Sequence, residues 1–149
     1  MKSSISHFVF FIVFILLLSA CKKDKFLFSE VPEISVQSIT PSIAKEFTDT
    51  VEVVIFYKDG NGDLGFEQPD SFCLEVWDQR LTQPDVYFLP PLAPPGEEIA
   101  IQGTFAVTMK NTFRLGTATQ EKTTFRIRIK DRAGNWSNTV ETPTLTIKE

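Results

Sequence analysis

The chain has 149 residues, with 15 Lys plus Arg against 19 Asp plus Glu, a formal net charge of −4. A mildly acidic chain is a poor nucleic-acid binder, because phosphate contacts depend on a basic surface. Its single histidine, His7, falls in the N-terminal segment. That segment opens with Lys2, continues through an unbroken apolar run from Phe8 to Leu18, and closes with Ser19-Ala20-Cys21. One basic residue, a short apolar core and small residues before a break form the layout of a secretory signal. A membrane-spanning helix needs about 20 apolar residues; this run falls short and meets Lys22-Lys23-Asp24-Lys25 at once. The expected division is a cleaved leader over 1–20, a tether over 21–32 and a domain over 33–149.

Leu18-Ser19-Ala20-Cys21 resembles the bacterial lipobox. The resemblance implies cleavage before Cys21 and a thioether-linked diacylglycerol on its sulfur. Two or three palmitate-type chains hold a protein to a bilayer, whereas one anchors only marginally, at about 0.8 kcal/mol per buried CH₂. Lys22-Lys23-Asp24 resembles the start of Bacteroidota-type lipoproteins, which implies an outer-membrane protein on the periplasmic face or the cell surface. Without residues 1–20 the chain keeps 129 residues, loses one Lys and carries −5. It also loses His7, so no histidine-based triad, Cys-His pair or histidine-ligated metal site remains. Cys73 is then the only thiol besides Cys21 and reads as a small buried apolar residue.

Phe26 and Phe28 in the tether can meet either the lipid interface or the domain. Beyond Pro32 the apolar pattern has period two, the mark of half-buried strands. Ile34-Ser35-Val36 starts a first run that ends at Thr40-Pro41. Val51, Val53, Ile55 and Tyr57 share a face of the second, and Phe72, Leu74 and Val76 a face of the third. Val86 to Leu89 forms a short fourth, closed by proline-rich turns. Ile99, Ile101, Phe105, Val107 and Met109 make a fifth, where Gly103 predicts a bend or bulge. Phe125, Ile127 and Ile129 point inward in the sixth, with Arg126, Arg128 and Lys130 forming a solvated or ion-paired outer stripe. The seventh, Val140 to Ile147, changes parity around Pro143, as a bulge on an edge strand would require. About seven runs with Gly/Pro punctuation and no persuasive helix predict an all-β, antiparallel β-sandwich.

Phe125 through Asp131-Arg132-Ala133-Gly134-Asn135-Trp136-Ser137 resembles the last hairpin of bacterial immunoglobulin-like and fibronectin type III-like domains. The resemblance implies an immunoglobulin-like sandwich in which Gly134 and Asn135 take tight-turn backbone shapes. It departs from antibody domains: Trp77 shares the parity of Cys73 and Glu75 rather than of the inward row, and no disulfide pair exists. Trp136 is expected to pack against the start of the last strand.

Between the second and third runs lies Asp59-Gly60-Asn61-Gly62-Asp63-Leu64-Gly65-Phe66-Glu67-Gln68-Pro69-Asp70. Oxygen side chains alternating with glycines can aim several ligands at a hard cation, and calcium takes six to eight oxygens. The start resembles an EF-hand loop, yet Leu64 and Asp70 occupy positions where that loop needs Gly and Glu. If runs two, three, six and seven are the B, C, F and G strands, the hairpin's Asp131 and Asn135 lie near this loop. The candidate calcium ligands are therefore Asp59, Asn61, Asp63, Glu67 and Asp131. The alternative is a turn stabilised by its own Asp and Asn side chains. By the same topology the anchor emerges on the acidic-loop side.

Three functions compete. The leading one is a non-catalytic, membrane-anchored envelope module that binds a protein or glycan or serves structurally. The second is a calcium-dependent ligand- or glycan-binding module. The third is a small hydrolase built on Glu67, Asp70 or other carboxylates, for which the sequence nominates no definite catalytic residue.

Overall fold

The computed structural model describes residues 28–94 and 96–149. The leader 1–20, Cys21 and the tether up to residue 27, with Phe26, lie outside the described residues. The described chain forms ten strands and no helix: β1 (Glu33–Thr40), β2 (Ile43–Lys45), β3 (Val51–Asp59), β4 (Phe72–Asp78), β5 (Asp85–Phe88), β6 (Ile101–Met109), β7 (Gln120–Thr123), β8 (Phe125–Ile129), β9 (Val140–Glu141) and β10 (Leu145–Lys148).

They assemble as β1-β3-β6, as β5-β4-β8-β9 and as a small β2-β10-β7 sheet. Every ladder is antiparallel except β2 with β10, which is parallel. The inward rows of β3 and β8 meet Leu74, Val76, Leu145 and Ile147 in one apolar core. Each such side chain contributes about 1.5–3 kcal/mol on burial. The fold is all-β and sandwich-like.

The alternation expected for β3 holds along its whole length, with Val51, Val53, Ile55 and Tyr57 buried and Glu52 exposed. Phe125, Ile127 and Ile129 are buried as expected. Four details differ from the sequence reading. Phe72 is 53% exposed, because the pairing with β5 slips between Phe72 and Leu74 and turns Cys73 inward beside Leu74. Gly103 makes no bulge, since β3 and β6 pair without a break from Val51↔Met109 to Asp59↔Ile101. It leaves room for the Tyr57 ring, whose hydroxyl would stand 3.0 Å from an added Cβ. Thr123 pairs with Leu145 but Arg126 with Glu141, so two residues oppose three and the extra one falls at Thr142-Pro143-Thr144. That bulge was expected, but β10 beyond it is a central strand between β2 and β7 rather than an edge. The strands β2 and β7 carry no periodic apolar signal of their own. Pairing with the buried strand β10 selects them.

Cys73 is buried, and burial pushes its thiol above the usual range. In a Cys21→Ser chain, where Cys73 is the one remaining thiol, Cys73 should react with a thiol reagent more than about 100-fold slower when native than when denatured. Timed alkylation with mass detection checks this; equal rates would mean the strand-β4 slip is wrong.

Candidate functional site

Strand parity builds the site. Asp59 is the last residue of the inward row Val51, Val53, Ile55, Tyr57, and Asp131 prolongs the inward row Phe125, Ile127, Ile129. Both carboxylates are therefore carried into the interior, and both are 0% exposed. The β3–β4 loop and the β8–β9 hairpin meet through a bridge between Leu64 and Asp131. The Arg132 N–H donates to the Asp63 carbonyl at 3.1 Å, which pins the hairpin tip to the loop. The Gly60 N–H donates to the Ser29 carbonyl at 2.8 Å, so the chain joins the fold beside the acidic loop. Phe28 lies on the domain, 5.6 Å from the Lys58 ammonium.

Within the loop, Asp59 Oδ2 accepts from the Asp63 N–H at 2.9 Å, while Asn61 Oδ1 takes a long 3.4 Å contact from the same group. Asp63 Oδ2 accepts from the Ala133 N–H at 3.2 Å. Asp131 is satisfied at both oxygens by Asn135, from the backbone N–H at 2.7 Å and from Nδ2 at 2.9 Å. Burial, reinforced by the negative charges of Asp63 and Asp131, pushes the Asp59 carboxyl up to about 6. Burial and the Asp131 charge likewise raise Asp63, against the pull of the Ala133 N–H and the Arg132 guanidinium.

Asp59, Asn61, Asp63 and Asp131 thus gather where the sequence placed them. Glu67 does not join them; it stands exposed in a surface groove with Gln68, Pro91 and Arg132. Among the described residues no group of three or more acidic, cysteine or histidine side chains has a metal-holding arrangement. Arg132 is the residue the sequence reading missed. Its guanidinium donates to the Gly65 carbonyl at 3.0 Å and the Gly62 carbonyl at 3.2 Å, bracing the loop from the hairpin. The available signal was a lone cation in a turn expected to face a glycine-rich, carbonyl-rich loop. In that turn Gly134 alone takes a left-handed φ of +93°, and Asn135 does not share it. The Gly134 N–H donates to the Asp131 carbonyl and the Asp131 N–H to that of Asn135, a three-residue loop that needs one left-handed position.

The outer stripe of β8 is ion-paired and stacked. Arg128 donates to Glu75 at 2.7 Å, and its guanidinium carbon lies 4.0 Å from the Trp136 ring centroid and 4.9 Å from that of Trp77. Trp136 therefore packs on Arg128 of the neighbouring strand, where the sequence had placed it against the last strand.

No protein-family model, curated protein or solved structure matches this chain.

Proposed function

We propose that this chain is a lipid-anchored envelope protein whose immunoglobulin-like module binds a protein or glycan, or serves structurally, without catalysis. The observation that carries the reading is the pairing of two positions. A lipobox-like cysteine lies seven residues before Phe28, and residues 28–32 join the fold at the acidic-loop end. A lipid at Cys21 would hold that end toward an outer-membrane leaflet, on the periplasmic face or the cell surface, and turn the opposite end outward. That outward end presents Phe47, 68% exposed and stacked on Phe113.

The immunoglobulin-like assignment draws support from strand order. β1-β3-β6 and β5-β4-β8-β9 correspond to the A-B-E and C′-C-F-G sheets of such domains, with β2 beside the final strand as an A′ segment. The non-catalytic reading draws support from access. Asp59 and Asp131 have no exposed surface through which a substrate could meet them, and Glu67 and Asp70 stand exposed on the loop flank.

Replacing the anchor tests the reading. A Cys21→Ser variant should lose the acyl modification and leave the membrane fraction, detected by fractionation and intact mass. Retention of unlipidated variant in the membrane would overturn the proposal in favour of a spanning N-terminus.

A further inference from the structure

We propose that Asp59 and Asp63 together bind a divalent cation, calcium, where the β3–β4 loop meets the β8–β9 hairpin. The inference rests on an account of every carboxylate oxygen in the cluster. Asp131 spends both on Asn135. Asp59 and Asp63 each spend Oδ2 on a backbone N–H, and the Leu64 N–H also pulls on the Asp59 carboxyl without closing a hydrogen bond to Oδ1. The remaining two, Asp59 Oδ1 and Asp63 Oδ1, are buried and have no hydrogen-bond partner among the described residues. A buried acceptor left unmatched costs about 1–3 kcal/mol, and more when it carries charge. Asp59 is fully buried, so bulk water does not relieve it.

The nearby cation does not fill this role. Arg132 directs two guanidinium donors at the Gly62 and Gly65 carbonyls. Three carboxylates, Asp59, Asp63 and Asp131, meet here, and the Arg132 charge acts on Asp63 without bonding any of them, so a divalent ion would supply the missing positive charge. Asp59 Oδ1 and Asp63 Oδ1 supply the anionic ligands, the Asn61 side-chain carbonyl lies at the edge of the same turn, and waters complete the shell. Calcium tolerates such an irregular oxygen set, whereas magnesium demands near-ideal octahedral geometry. With two carboxylates the affinity belongs to the weak class of extracellular modules, about 10⁻⁴–10⁻³ M. Asp131 acts through its charge, and Glu67 is not a ligand. The inference goes beyond the anchored-module reading and does not depend on it.

The test uses the purified full-length chain in detergent, unfolded thermally in calcium, in magnesium and in chelator at matched ionic strength. About 5 mM calcium should raise the midpoint by about 4 °C over chelator, with a smaller rise in magnesium. Asp59→Asn and Asp63→Asn should each abolish the rise, while Glu67→Gln keeps it. Titration calorimetry with calcium gives a second readout, and Asp63→Asn carries the test if Asp59→Asn does not fold. Identical midpoints with no binding heat, or a calcium shift that survives both substitutions, would overturn the proposal. The first outcome would mean that a proton or a trapped water satisfies the two oxygens.

Discussion

Gly65→Ala is expected to destabilise the protein by about 3–4 kcal/mol, since this glycine combines a left-handed φ with the closest approach to neighbouring backbone among the described glycines. Gly65 holds a φ of +82°, a left-handed conformation that costs an L-residue about 1–2 kcal/mol. The added Cβ would also fall 2.1 Å from the Pro90 carbonyl oxygen and 2.9 Å from Pro91 Cα, both backbone atoms that cannot swing aside. Relief requires the loop to part from the Pro90-Pro91 segment. That movement strains two bonds: the Phe66 N–H to the Leu89 carbonyl at 2.9 Å and the Leu92 N–H to the Leu64 carbonyl at 3.1 Å. Each contributes about 1 kcal/mol net. Gly134→Ala is the control, since its φ is +93° but an added Cβ meets nothing within 4 Å. It should cost only the conformational penalty, about 1–2 kcal/mol. Thermal or urea unfolding compares them, and equal losses would show that the contact with Pro90 is not as close as the structure places it.

Asp78→Ala at the opposite end should cost about 2–3 kcal/mol, below the usual figure for a fully buried ion pair because this one retains some solvent. Asp78 ends strand β4 and is nearly buried. Its Oδ1 accepts from the Arg80 backbone N–H at 3.0 Å and the Thr123 hydroxyl at 2.6 Å, and its Oδ2 from the Arg80 guanidinium at 2.6 Å. Arg80 also reaches Glu121 at 2.8 Å and the Phe113 carbonyl at 2.9 Å, joining β4, β7 and the β6–β7 loop. Removing the carboxylate leaves that guanidinium with only Glu121 and the Phe113 carbonyl, and the Thr123 hydroxyl with only a long 3.2 Å bond to the Thr124 carbonyl. Burial pushes the Asp78 carboxyl up, but the bonds from Arg80 and Thr123 outweigh it and hold the group below its ordinary 3.8. For a depressed carboxylate the unfolded chain takes up the proton first as pH falls. Its stabilisation is therefore complete above the unfolded value and lost as pH drops through 3.8 toward the folded value. The stability gap between wild type and Asp78→Ala should narrow below about pH 4. A gap that is constant from pH 7 to pH 3 would show that Asp78 contributes by packing alone.

Much of the fold was legible because burial on one face leaves a mark every second residue. The rows Val51-Val53-Ile55-Tyr57 and Phe125-Ile127-Ile129 appear in the structure as read. Followed one step further, the same parity reaches Asp59 and Asp131, so the burial of both carboxylates was already implicit. The short polar strand Gln120–Thr123 left no such mark, since its place depends on the backbone of β10. Phe72 misled for a related reason: a one-residue slip puts the residues on its two sides in opposite parity, so Phe72 turns out while Leu74 and Val76 stay in, and nothing local to Phe72-Cys73-Leu74 announces the slip.

The candidate site divides in the same way. The sequence by itself determined that an acidic, glycine-spaced loop would follow β3 and that a glycine turn would follow β8; that the two share an end followed from it only on the condition of an immunoglobulin-like strand order. Alternation and turn chemistry are local, so they survive without knowledge of the partners. Only the tertiary structure decided which oxygens are spent and which remain. Asn135 takes Asp131, Ala133 takes one oxygen of Asp63, and Arg132 takes two loop carbonyls, leaving a single unmatched oxygen on each of Asp59 and Asp63. Those assignments link residues as many as 70 positions apart. Hydrogen bonds need separations near 3 Å, which only the packed chain sets.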